Sequence, residues 1–213
     1  MSMIFLAFEG LDGSGKSTLM QQLEVHLSEK KISFIKTREP GGTPVGDELR
    51  EIILKKSGDT PTPRTELLLY EASRAQHVDQ VIRPALEQKK WVLCDRFSAS
   101  SLAFQAGGRQ ISEVQVEWLN DFATAGLKPH LNILLDLTVE ESKKRRQKRV
   151  DQTGNHEDRM ESEAEVFHQR VRAAFLKQGE QQPKIWLVLN AALTPEKLFE
   201  ILLTELKARQ WLV

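Results

Sequence analysis

Residues Gly10-Leu11-Asp12-Gly13-Ser14-Gly15-Lys16-Ser17 satisfy the pattern G-x-x-x-x-G-K-[ST] in full. The glycines allow successive backbone N–H groups to turn inward, forming a concave anion site that the N-terminus of a following helix reinforces. Lys16 is then placed to reach the β- and γ-phosphates of a nucleotide, and the Ser17 hydroxyl to ligate Mg²⁺. Gly10, Leu11, Asp12, Gly13, Ser14, Gly15, Lys16, Ser17 and Thr18 are thus the expected binding segment for a nucleoside triphosphate.

Such a loop identifies the ligand but not its use. A GTPase needs a guanine-reading N-K-x-D, which the sequence lacks. Asp151-Gln152-Thr153-Gly154 matches D-x-x-G, but it follows a basic helical run rather than a strand and reads as a chance match. The chain is short for a motor ATPase, which leaves phosphoryl transfer to a small molecule. A kinase must hold a second anion opposite the loop, and arginine suits that task because its planar fork fixes a phosphate in one geometry. Arg38, Arg74 and Arg96 are the candidates. Arg38 and Arg96 each follow an apolar segment, the position outside strand carboxyl ends where open α/β sheets bind ligands.

The elements that must position these groups can be read from apolar runs. Met3 to Phe8, Ser33 to Thr37, Trp91 to Asp95, Leu131 to Asp136 and Lys184 to Leu189 read as strands. Most are continuously apolar, as in a parallel sheet buried on both faces. Leu19, Met20, Leu23 and Leu27 give the first intervening helix one apolar face. Ser112 with Gln115, and Thr138 with Glu141, have capping-box spacing, and Thr194-Pro195 places a cap and first-turn proline before Leu198, Ile201, Leu202 and Leu206. Pro61 and Pro63 mark a break between two helices lying between the second and third strands, and Pro84 should bend or end the second. Strands alternating with helices give a doubly wound α/β fold.

The chain has 213 residues, best read as one domain spanning 1–213. Thirty basic residues balance thirty acidic ones, so no global nucleic-acid footprint is present. No apolar run is long enough to span a bilayer, and Met1-Ser2-Met3 carries no basic region of the secretory kind. Cys94 is the only cysteine, which excludes an intrachain disulfide and a thiolate zinc cluster and favours a cytoplasmic location. Its expected place is a core thiol beside Asp95. The five histidines lack metal-ligand spacing and are expected at the surface or at caps.

Taken in order, FEGLDGSGKST at 8–18, TREPGGT at 37–43, YEASRAQH at 70–77 and DRFSASSLAFQAGGR at 95–109, with a basic run beginning at Lys143, resemble the thymidylate kinase family. The resemblance runs from residue 8 to about 175. It implies a P-loop kinase fold, a five-stranded parallel sheet flanked by helices, with a mobile lid at about 143–160. It also implies transfer of the γ-phosphate of ATP to dTMP with Mg²⁺, on the way to dTTP, by a homodimer that binds neither nucleic acid nor membrane. Another nucleoside monophosphate as acceptor, or a non-catalytic nucleotide-binding regulator, are the competing readings. In the family's pattern Asp12 approaches the sugar 3′-hydroxyl, while Arg38 and Arg96 hold the acceptor phosphate beside Pro40. Tyr70 stacks on thymine, Arg74 donates to a base carbonyl, Ser101 and Gln105 line the base edge, and Phe104 crowds the sugar C2′. Asp95 contributes to Mg²⁺ binding through water, and the Glu39-Pro40 bond is often cis in relatives. Six of the seven residues from Lys143 to Arg149 are basic, and the loop positions Leu11 to Ser14 hold no cation. Relatives of that kind take transition-state cations from the lid, so Arg145, Arg149 and Arg159 are the candidates.

Overall fold

Three short, mostly apolar runs form the centre of the sheet. In the computed structural model, which describes residues 3–154 and 156–212, these are β1 (Phe5–Glu9), β3 (Trp91–Asp95) and β4 (Leu131–Asp136), and nearly every residue of each is buried. The flanking strands β2 (Phe34–Arg38) and β5 (Trp186–Asn190) are only partly buried, as edge strands should be. All pairings are parallel, in the order β2-β3-β1-β4-β5. The five expected strands are present, with β1, β2 and β5 displaced by one or two residues. The start of β5 shifts because Pro183–Ile185 forms a 3₁₀ turn. The expectations placed on Met1 and Ser2, and on Asn155 within the lid range 143–160, concern residues outside those described.

Helices α1 (Lys16–Glu29), α2 (Pro44–Leu54), α3 (Pro63–His77), α4 (Arg83–Glu87), α5 (Ser98–Ser101), α6 (Glu113–Thr124), α7 (Val139–Thr153), α8 (Glu165–Gln181) and α9 (Pro195–Ala208) cover the sheet. Leu19, Met20, Leu23 and Leu27 of α1 pack with Leu198, Leu202 and Leu206 of α9 on one face. Phe104, Phe167, Val171 and Phe175 form a separate core under α8. Thr138 and Thr194 accept from the backbone N–H three residues on, as capping demands. Ser112 occupies the cap of α6, but its hydroxyl makes no capping bond. Pro84 neither ends nor breaks its helix. A π-helical turn at Val78–Ile82 joins α3 to α4, and the proline falls just after it in the first turn of α4, where a missing N–H is tolerated.

The histidine expectation needs correction. His77 is fully buried, with Nε2 2.6 Å from Thr37 Oγ1 and Nδ1 3.0 Å from Glu39 Oε1. His168 is buried as well, whereas His130 and His156 are exposed as expected, His130 Nδ1 accepting from the Phe5 N–H. With one ring nitrogen on a hydroxyl and the other on a carboxylate, His77 serves as a core bridge between Thr37 and Glu39. Cys94 is a buried free thiol donating to the Arg96 carbonyl. Among the described residues, no helix is long and apolar enough to cross a membrane.

Candidate active site

The glycine-rich loop turns at the carboxyl end of β1, in the crevice where the chain crosses from one side of the sheet to the other. Gly10 has φ +129°, and a Cβ there would lie 2.5 Å from the Leu135 carbonyl oxygen, so no other residue fits. Lys16 is buried, and its ammonium donates to the Gly10 and Leu11 carbonyls at 3.1 and 3.2 Å. Burial, together with the cation of Arg96, lowers its pKa, although Asp95, Asp12 and Glu9 oppose the shift.

A cleft of about 330 Å³ opens over this loop. It is walled by Asp12, Gly13, Gly15, Lys16, Ser17 and Thr18, by Asp95, and by Arg145, Arg146 and Arg149 of α7. Ser17 and Thr18 are exposed, and Asp95 Oδ1 is buried without a partner. A hydroxyl and an orphaned carboxylate oxygen are hard donors that suit Mg²⁺. Among the described residues no three His, Cys, Asp or Glu side chains converge on a metal position, so the remaining ligands would be phosphate and water oxygens.

Asp12 faces a second cavity as well. That pocket is lined by Asp12, Glu39, Pro40, Tyr70, Arg96, Ser101, Phe104 and Gln105, and also by Arg50, Leu54, Ser100, Asp158 and Met160. Arg96 lines this second space, with Nη2 2.8 Å from Asp12 Oδ1 and its guanidinium carbon 4.9 Å from the Phe104 ring centre. Asp12 is itself 4.0 Å from Lys16 Nζ. Burial raises the Asp12 pKa, but Arg96 and Lys16 outweigh it and hold the carboxylate below its usual range.

Arg96 adopts φ +69°, a left-handed conformation that costs a non-glycine residue energy unless its surroundings impose it. They do so here through Glu9. Its carboxylate accepts from the Phe97 N–H at 2.9 Å and the Ser100 hydroxyl at 2.6 Å, clamping the turn that follows β3. Burial pushes the Glu9 pKa up to about 7 against the opposing pull of Arg96. The preceding turn is built with similar care. Glu39-Pro40 is cis, and Gly42 has φ +82° with a position for Cβ only 2.7 Å from Thr37 Oγ1.

Three expected arginines stand elsewhere. Thr37 faces His77, so the two-residue period of β2 turns Arg38 outward, where it is exposed and pairs with Asp47 at 3.3 Å. Arg50 on α2 occupies the pocket in its place, its Nη1 donating to the Pro40 carbonyl at 3.0 Å. Arg159 is held by the Ile53 carbonyl and the Glu66 carboxylate, both at 2.7 Å, and does not line the loop cleft, whereas Arg146 does.

Arg74 does not project into the pocket either. It is fully buried and donates to Glu39, Glu71, Ser101, Asn120 and the Phe97 carbonyl, behind the wall that Ser101 forms. Its Nη2 donates to the Phe97 carbonyl at 3.1 Å. Arg50 was legible in principle: it shares a helical face with Gly46, Ile53 and Leu54, and a cation within an apolar stripe invites explanation. Glu9, Ser100, Asp158 and Met160 carry no such signal.

A protein-family model described as Thymidylate kinase matches residues 8–201. A thymidylate kinase of Bdellovibrio bacteriovorus is 62% identical over 208 residues, covering 98% of this chain and 97% of the relative. One from Geotalea uraniireducens is 44% identical over 189 residues, covering 88% and 89%. The crystal structure of thymidylate kinase from Ehrlichia chaffeensis matches with a TM-score of 0.75 at 28% identity, covering 97% of this chain and 99% of that one.

Proposed function

The chain belongs to the thymidylate kinase family, and from that premise we propose how its own residues carry the γ-phosphoryl group of ATP to dTMP, giving dTDP and ADP. The observation that carries the reading is Asp12, a wall shared by the loop cleft and the acceptor pocket, with Lys16 on one side and Arg96 on the other. Two phosphates brought together there repel each other, and the two cations offset that repulsion along an in-line path. A regulator without turnover would have no need of this shared wall.

ATP occupies the loop from Gly10 to Thr18. Ser17, with Asp95 acting through water, would hold Mg²⁺, which would neutralise charge on the phosphates. Arg145 and Arg149, with Arg146 beside them, meet the charge that develops on the transferred group. Arg96 and Arg50 hold the dTMP phosphate, Arg38 being turned away. Asp12 meets the sugar, Phe104 rejects a 2′-hydroxyl, Tyr70 stacks on the base, and Ser101 and Gln105 face its edge. Arg74, behind the pocket wall, braces Ser101.

The acceptor pocket encloses only about 70 Å³, well below the roughly 300 Å³ at which ligand pockets begin. Its walls must part to admit a nucleotide. Asp158 and Met160 belong to the segment between α7 and α8, which supports lid motion over about 143–160 within a single domain. Incubating the protein with ATP labelled at the γ-position and dTMP tests the reaction. Label must appear in dTDP; label released only as inorganic phosphate would contradict transfer.

The enzyme works as a homodimer in the cytoplasmic nucleotide pool. Val114, Trp118 and Phe122 recur every four residues on α6 and are 72%, 66% and 76% exposed. The rings of Trp118 and Phe122 stack at 6.0 Å, and Leu68 of the adjoining α3 is exposed too. A continuous apolar patch on a chain of zero net charge suits a two-fold self-contact, in which one patch meets its own copy. Light scattering should give twice the chain mass of 24.3 kDa for the unmodified protein, and the single chain mass for Trp118→Glu. An unmodified protein at the single chain mass would remove the dimer.

A further inference from the structure

Glu66 of α3 has no exposed surface, and phosphoryl transfer makes no use of a carboxylate at its position. Its Oε1 accepts from Gln105 Nε2 and Arg109 Nε, both at 3.0 Å. Its Oε2 accepts from Arg109 Nη2 at 2.8 Å and Arg159 Nη2 at 2.7 Å. Burial raises the pKa of this carboxyl, but the hydrogen bonds from Arg109, Gln105 and Arg159 outweigh it and lower the pKa, so Glu66 is ionised at neutral pH.

An ionised carboxylate only accepts hydrogen bonds. Gln105 must therefore turn its amide nitrogen toward Glu66, which fixes the carbonyl Oε1 at the opposite side of the planar amide. That oxygen accepts no hydrogen bond among the described residues, and Gln105 lines the acceptor pocket. The direction of the amide decides what the pocket reads. Thymine carries a proton on N3, whereas cytosine carries a lone pair there and an amino group beside it. A carbonyl at this edge accepts from thymine and repels cytosine; an amide turned by half a rotation does the reverse. A glutamine free to turn would accommodate both.

We propose that Glu66 is a positioning residue for base selection, locking the Gln105 amide with its carbonyl toward the acceptor pocket and thereby setting the preference for thymine over cytosine. This rests on the reading of dTMP as acceptor and of Gln105 as a base-edge residue. Arg109 and Arg159 neutralise the buried carboxylate, and because each can only donate, they leave it an acceptor toward Gln105.

The test is kcat/KM for dTMP and for dCMP in Glu66→Gln, whose amide can donate or accept and so releases Gln105. The dTMP-to-dCMP ratio should fall by about tenfold or more, with KM for ATP unchanged within about twofold. Combining Glu66→Gln with Gln105→Leu should lower the ratio no further than Gln105→Leu alone, because both changes break one path. Glu66→Gln leaves Arg159 without its anion, and Arg109 with only Glu163 at 2.6 Å, and could fail to fold. The triple variant Glu66→Met, Arg109→Met, Arg159→Met removes the charges together, a change that buried ion clusters tolerate, and it must show the same fall. A ratio equal to that of the unmodified enzyme in either folded variant, or equal losses for both substrates, overturns the role of Glu66. An unmodified enzyme without preference for dTMP overturns the substrate reading beneath it.

Discussion

Replacing Lys16 with alanine is expected to lower kcat by about a thousandfold or more, at little cost to the fold. The ammonium is already placed at the Gly10 and Leu11 carbonyls, within reach of the cleft over the loop. It therefore needs little rearrangement to meet charge building on the transferring group, which is where preorganised cations act most strongly. The fold should survive for a related reason. Burial and Arg96 both disfavour the Lys16 charge, so the folded protein gains little from holding it there. Coupled ADP release measures the rate, and circular dichroism melting the fold. ATP affinity should fall less than kcat, since the missing contact matters most in the transition state. Near-normal turnover in a folded Lys16→Ala protein would refute the assignment of the loop.

The loop was legible in the sequence because its function depends on backbone geometry. Gly10 is dictated by the Leu135 carbonyl, and a pattern of glycines ahead of Lys16 is visible without knowing any tertiary neighbour. The sheet was legible for the same kind of reason: strands buried on both faces read as unbroken apolar runs. Arginine roles were not legible in this way, because a guanidinium goes wherever the fold has placed a carboxylate or carbonyl. Glu39 and Glu71 draw Arg74 behind the pocket wall, Glu66 draws Arg159 away from the phosphates, and Asp47 holds Arg38 outside. Arg50 enters the pocket because α2 crosses it, a fact of packing between distant segments. His77 illustrates the same limit: its partners Thr37 and Glu39 lie on another element, and only the assembled turn makes it a core residue.

The acceptor pocket should reject dCMP by about a thousandfold or more relative to dTMP. On the proposed reading Gln105 meets the base edge with a carbonyl that Glu66 holds in place, while Arg74, behind the wall, fixes Ser101. Thymine supplies a donor to that carbonyl. Cytosine sets a lone pair against it. Buried groups left unpaired cost far more than a missing methyl group. dUMP lacks only that methyl and should lose about ten- to a hundredfold. A purine such as that of dGMP is larger than thymine and should turn over least. The deciding measurement is kcat/KM for dTMP, dUMP, dCMP and dGMP with saturating ATP and Mg²⁺. The account predicts that order with dTMP first and dCMP about a thousandfold or more below it; equal values for dTMP and dCMP would contradict it.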